Sequence, residues 1–407
     1  MSAGSEYLRF VVENRRFLGF GLLAAALSGF GQTFFVSLFS EPIRTTFDLG
    51  HGGFGLYYGI ATLGSAAAVV WLGRALDRID LRVFAAATVI GLAAGALLLG
   101  VAEHAAVLLL ALLLLRLSGQ GLMTHMAFSS MARYFDARRG RALGVAALGL
   151  PAAEAVLPVS AVVLMAFLAW QQVWLLVAAL LLFIGLPALL VLLRGHSTRR
   201  RRIERLADEQ PPGAGWRRRE VLRDRRMWLY LPGVLVAPTA VTFLFFHQVH
   251  IADTRGWPLE LMAASFLGFA AAHVVGLLVG GPWVDRITAR RALPLALLPL
   301  LTGLTLAALF TGAWVVPVYM LLAGLSAGVG APAINALWAE LYGIHNLGGI
   351  RALAHAAMSF ATALSPPATG LLLDWGVPVG VVIGGLAVLT AGAGVLAAAG
   401  RRRGATI

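Results

Sequence analysis

The stretch Gly73-Arg74-Ala75-Leu76-Asp77-Arg78-Ile79-Asp80-Leu81-Arg82 separates two long apolar runs, and its pattern returns 208 residues later as Gly281-Pro282-Trp283-Val284-Asp285-Arg286-Ile287-Thr288-Ala289-Arg290. Glycine, the Asp-Arg-Ile triplet and the closing arginine hold the same places in both copies. Two further matches fall at almost the same offset. Gly119-Gln120-Gly121 pairs with Gly328-Val329-Gly330, and Arg141-Ala142-Leu143 pairs with Arg351-Ala352-Leu353. Any one short match is expected by chance, but three in one register imply a duplicated architecture.

Around these repeats the chain is apolar. Of 407 residues, 59% are hydrophobic and 13% charged, where a soluble domain carries about a quarter charged residues. That excludes an ordinary soluble enzyme. A bilayer core ~30 Å thick takes roughly 20 apolar residues per helix. Such runs fall at about 17–39, 53–73, 83–101, 105–130, 141–164 and 168–193, and again at about 227–251, 260–284, 292–311, 314–337, 351–373 and 376–400. They lack the alternation of membrane barrel strands. The expected fold is an all-α membrane protein with twelve transmembrane helices in two six-helix, pseudo-symmetric bundles. The expected domains are an N-terminal bundle (1–193), a basic linker (194–226) and a C-terminal bundle (227–407). The first sixteen residues carry Glu6, Arg9, Glu13, Arg15 and Arg16 without a cleavage motif, so the first span is expected to stay in place.

A net charge of +13 and a pI of about 11.3 at first suggest a nucleic-acid partner. Every one of the 32 basic residues is arginine, and 29 of them fall in alternate loops on one side of the twelve spans. Basic loops stay cytoplasmic, so both termini are expected inside a bacterial-type inner membrane. The linker 194–226 alone has twelve arginines, with Glu204, Asp208, Glu209, Pro211 and Pro212. It reads as an amphipathic surface segment drawn to anionic lipids. Its single tryptophan gives no stacking pattern for nucleic acid. The absence of cysteine excludes disulfides, thiolate metal sites and a cysteine nucleophile.

Together the Asp-Arg loops and the duplicated halves resemble the major facilitator superfamily of secondary transporters, whose signature between helices 2 and 3 is Gly-x-x-x-Asp-Arg-x-Gly-Arg-Arg. Gly73, Asp77, Arg78 and Arg82 match it, with Asp80 and Leu81 in place of a glycine and an arginine. Gly281, Asp285, Arg286 and Arg290 form the second copy. The resemblance implies that these loops act as conformational latches, with Gly73 or Gly281 letting helices approach closely. Arg116-Leu117-Ser118-Gly119-Gln120-Gly121 is similar to the family's helix-4 motif. Within the family, 135–144 and Gly52-Gly53-Phe54-Gly55 resemble the monocarboxylate and oxalate/formate branch. That branch commonly holds the substrate carboxylate with a helix-8 arginine; helix 8 here offers His273 instead.

A charge at mid-bilayer costs roughly 2.5–3.5 kcal/mol even on the lenient insertion scale, so it should face a cavity or a partner. Arg116 lies ~17 Å along helix 4 from one face, and Glu154 ~20 Å along the antiparallel helix 5 from the other, at 1.5 Å per residue. They are expected to form a pair exchangeable with substrate or a proton, or else a permanent ion pair. Gln32, His247, His273 and Asn335 are the remaining pathway candidates, histidine being the side chain that titrates nearest physiological pH. Phe34, Phe35, Phe243, Phe245 and Phe246 read as packing or lipid contacts. His247 and His250, at i and i+3 with no carboxylate run nearby, do not suggest a metal site. No nucleotide-binding Gly-x-x-x-x-Gly-Lys loop occurs.

The reading is therefore a monomeric carrier of a small solute, needing no cofactor, driven by protons and working by alternating access. A monocarboxylate or other organic anion is the suggested cargo. The alternatives are an exporter of drugs or hydrophobic metabolites and, distantly, an intramembrane enzyme or sensor. Ser118 and His125, at i and i+7, lack the oxyanion motif that an enzyme would need.

Overall fold

The computed structural model describes residues 3–73, 76, 79–135, 138–195, 218–343 and 347–402. Among the described residues eleven helices are long and apolar enough to cross a membrane, and a bent pair brings the number of spans to as many as twelve. In chain order they are α1 (Arg15–Gly31 with Thr33–Phe47), α2 (His51–Leu72), α3 (Leu81–Gly100), α4 (Ala105–Tyr134), α5 (Arg139–Met165) and α6 (Trp170–Leu192). The second set is α7 (Arg225–Phe246), α8 (Leu259–Ile287), α9 (Ala289–Leu309), α10 (Val315–Tyr342), α11 (Gly349–Asp374) and α12 (Val379–Gly400). Backbone polar groups in hydrocarbon must be satisfied within the segment, and these Leu-, Ala- and Val-rich runs do so as helices.

The duplication seen in the sequence is also a duplication of packing. In the first half α1 packs on α5 and α6, and α3 on α4 and α6. In the second, α7 packs on α11 and α12, and α9 on α10 and α12. The chain forms two compact units. One comprises 1–35, 64–153 and 164–211; the other comprises 36–63, 154–163 and 212–407. The units therefore do not coincide with the sequence halves. The far end of α1, the start of α2 and a stretch in the later part of α5 belong to the unit built mainly from the second half.

Glycine sets the closest approaches. A Cβ on Gly31 would collide with the Leu115 carbonyl oxygen and lie 2.8 Å from the Gly119 Cα. In the second unit a Cβ on Gly328 would collide with the His273 carbonyl oxygen and lie 2.8 Å from the Gly276 Cα. Backbone cannot swing aside as a flexible side chain can. Overpacking of this kind costs about 1–3 kcal/mol, so Gly119→Val is expected to lower the melting temperature of the purified protein by several degrees. Gly144→Ala, where a new Cβ meets nothing within 4 Å, should leave it unchanged. Gly281 corrects an expectation: a Cβ there also meets nothing within 4 Å, whereas at Gly280 it would lie 3.0 Å from Pro332 Cγ. The face of α8 turned to α10 passes through the residue before the one the motif marks.

The five phenylalanines are all buried, so they serve packing rather than lipid contact. Phe35 meets the Trp174 ring edge-on at 5.3 Å, and Phe245 meets Phe269 at 5.1 Å.

Candidate functional site

α1 is not continuous. A helical turn at Ser28–Gly31 ends at Gln32, whose extended backbone (φ −84°, ψ 157°) precedes Thr33–Val36, and the two parts bend by 42°. The break follows Gly29-Phe30-Gly31, a glycine-interrupted segment of the kind that marks transport sites in carriers built from repeats. Opposite it, Leu115–Met123 of α4 adopts the wider π-helical form, which is frequent at functional positions. Arg116 sits at the start of that segment. It is 2% exposed and donates from Nη1 to the Gly31 carbonyl at 3.1 Å. A guanidinium at the carbonyl end of a helix is electrostatically favoured. Gln32 is half-buried beside this contact.

Glu154 lies in the second unit and is 5% exposed. Its Oε2 is 3.0 Å from His273 Nδ1 on α8. Two such atoms at that distance share a hydrogen. The pair can hold one proton (neutral imidazole donating to carboxylate) or two (imidazolium with carboxylate, or neutral imidazole with carboxylic acid). Gaining the second proton takes its net charge from −1 to zero. Within its own unit Arg116 thus bonds the Gly31 carbonyl, and within its own unit Glu154 bonds the His273 imidazole.

His247 lies just past the end of α7 rather than within a continuous helix; the chain resumes as a short helix, Gln248–Arg255. His247 is 2% exposed, with Nε2 3.0 Å from the Thr369 hydroxyl. Nearby, Gln248 donates to Ser37 Oγ at 2.8 Å, and Ser37 Oγ donates to the Phe245 carbonyl at 2.6 Å. Asn335 is exposed, and its carbonyl accepts from Arg351 at 2.8 Å.

Of the latch residues, Asp77 and Arg78 lie outside the described residues. Gly73 is buried, with His125 Nε2 3.4 Å from where its Cβ would stand. Arg82 donates through Nε and Nη2 to the Leu193 carbonyl, at 3.3 and 3.1 Å, tying the loop to the end of α6. In the second copy Asp285 and Arg286 are exposed. The Arg290 guanidinium donates to the Glu340 carbonyl at 2.9 Å, and the Glu340 carboxylate accepts from the backbone N–H of Ala289 and Arg290 at the start of α9.

One contact had no signal in the sequence. The backbone N–H groups of His51 and Gly52, at the start of α2, both donate to the Asp374 carboxylate at 2.8 Å. Asp374 ends α11, 323 positions away from His51. A carboxylate there satisfies orphan donors and opposes the helix dipole. Losing such a cap costs about 0.5–2 kcal/mol. Asp374→Ala is accordingly expected to lower the melting temperature by a few degrees, with Asp374→Asn between it and the parent. Among the described residues no group of three or more His, Asp or Glu side chains could hold a metal ion.

Known proteins share this architecture. The family model of the Major Facilitator Superfamily matches residues 21–272 and 248–405. No curated protein gave a match. Among solved structures, the chain is similar to a bacterial homologue of the human lysosomal transporter Spinster in its inward-facing, unoccupied conformation, with TM-score 0.66 and 16% identity over 95% of this chain and 94% of that one. The inward-facing, occupied conformation of that homologue matches with the same score and identity, over 94% and 95%. With an all-helical, many-span architecture, a duplicated packing scheme and a family match running from α1 to α12, this chain belongs to the major facilitator superfamily and is a multi-pass membrane transporter rather than an enzyme.

Proposed function

We propose that the protein is a proton-coupled carrier of a small organic anion, a monocarboxylate in the simplest case, working by alternating access. Its termini and arginine-rich loops face the cytoplasm of a bacterial-type inner membrane. The observation that carries this reading is the buried Glu154–His273 pair. An acid and a base hydrogen-bonded at membrane depth can take up one proton without losing their mutual bond. That proton removes a net negative charge, which the bilayer penalises.

Arg116 supplies the other half of the argument. A buried arginine recognises carboxylates by its planar fork of donors. An anion competing with the Gly31 carbonyl for that fork would act on the break in α1 at Gln32. Loading one anion and one proton neutralises the charge of Arg116 and that of the Glu154–His273 pair. The loaded carrier then has little intramembrane charge to hold it in either conformation. His247 and Asn335 line the route in this reading, and Asp77, Arg78, Asp285 and Arg286 serve the latches that the family resemblance assigns to them.

Uptake into proteoliposomes tests the proposal, using a panel of mono- and dicarboxylates, sugars and hydrophobic cations, with and without an inward proton gradient. Carboxylate uptake that rises with the gradient is the expected result. Uptake of neutral or cationic compounds, or indifference to the gradient, would overturn it.

A further inference from the structure

The start of α2 carries a second cluster of titratable groups, at the end of the helices opposite the arginine-rich loops. The His51 ring centroid lies 4.1 Å from that of His250 and 6.0 Å from that of His247. His247 is held by Thr369 of α11, and the backbone at His51 by Asp374 of the same helix. There is no slack between these elements. A Cβ on Gly55 would lie 2.6 Å from the Pro366 carbonyl oxygen, and one on Gly370 would lie 2.6 Å from that of His51. α2 belongs to the first sequence half, and α7 and α11 to the second. A contact of this kind must part when a carrier opens on this face.

We infer that His51 and His250, backed by His247, form a proton-binding site on the arginine-poor face, and that protonation there releases the closure of α2 on α11. Neutral imidazoles tolerate contact at this distance. Two imidazolium rings repel, and Arg44 of α1 adds a third positive charge nearby. The other groups facing the cluster are Glu41 of α1, Asp253 of the Gln248–Arg255 helix and Asp374, each of which offsets some of that repulsion. Asp374 is already committed to the α2 amides.

The sign follows from linkage. Burial, then Arg44, holds His250 below the usual histidine range while the contact is closed. On opening, water restores its ordinary affinity, so protons bind the open form better and falling pH favours opening. The cluster is distinct from the Glu154–His273 pair. It rests on the alternating-access part of the proposed function and not on where the transported proton sits.

The lack of cysteine makes a spin-label test direct. Thr46→Cys and Trp375→Cys, both at exposed positions flanking the contact, carry the labels. Distances are read by pulsed electron paramagnetic resonance in nanodiscs from about pH 8 to about pH 5, spanning the histidine range. The expected result is one short distance at the alkaline end and a second, longer population below about pH 6, with a steepness approaching two protons. In the double variant His51→Gln/His250→Gln the short distance should persist at the acid end. His250→Gln alone, should the double variant fail to fold, should reduce the steepness to nearer one proton. Glu154→Gln should keep the two-proton steepness of the transition, whatever it does to the populations at the alkaline end, which separates this site from the coupling pair. A distribution unchanged across the range, or a His250→Gln profile that overlays the parent, would overturn the inference.

Discussion

Glu154→Gln is expected to abolish proton-driven accumulation while leaving substrate exchange intact. The amide keeps a polar partner for His273 Nδ1, which lies 3.0 Å from Glu154 Oε2, but it can neither release nor accept the transported proton. With a neutral imidazole beside the amide the variant's pair carries no net charge, as the parent's pair carries none once it holds its second proton. A gradient of about two pH units sustains roughly hundredfold accumulation of a monoanion, since one unit is worth about 1.4 kcal/mol. The variant should fall to equal concentrations on both sides. Counterflow, in which labelled substrate exchanges for unlabelled at equal pH, should continue at a rate near the parent's. His273→Gln tests the other partner: the pair then stores a proton only on the carboxylate, and coupling should weaken. If Glu154→Gln still accumulates substrate, coupling at this pair is wrong even if the transporter reading stands.

The second large effect is expected at Arg116. Truncating one partner of a buried, hydrogen-bonded charge costs about 2–5 kcal/mol, or roughly thirty-fold to several thousand-fold in apparent affinity. Arg116→Gln should therefore raise the KM for carboxylates by at least about thirtyfold. It should also lower the melting temperature, because the Gly31 carbonyl at the break in α1 loses its donor. Arg116→Lys separates the two contributions. Lysine restores the charge but not the planar fork, so anion affinity should recover in part. A lower melting temperature with an unchanged KM in either variant would assign Arg116 to helix packing alone.

Both variants concern residues that the sequence exposes by a simple incongruity. An arginine and a glutamate in the middle of apolar runs demand an explanation on solvation grounds, whatever the fold. Their partners were not visible in the same way. Gly31 offers only a carbonyl, and a carbonyl becomes a partner only where its helix is interrupted. His273 is 119 positions from Glu154, on a different helix in the other half of the repeat. The Gly29-Phe30-Gly31-Gln32 segment held a readable cue to the break, since glycine followed by a polar residue weakens a transmembrane helix. His51 and Asp374 held none. Each ends an ordinary apolar run, and neither is unusual until the other is beside it.

Span number, duplication and family class were thus determined by the sequence alone. They depend on hydropathy and a repeated motif, both of them properties that add along the chain. Which groups meet was decided only by the tertiary structure. α1 breaks at Gln32, α5 and α8 bring Glu154 to His273, and α11 caps the start of α2 with Asp374. Contacts between distant residues depend on helix rotation and bend. A shift of one residue turns a helical side chain by about a hundred degrees, as the exchange of roles between Gly280 and Gly281 records.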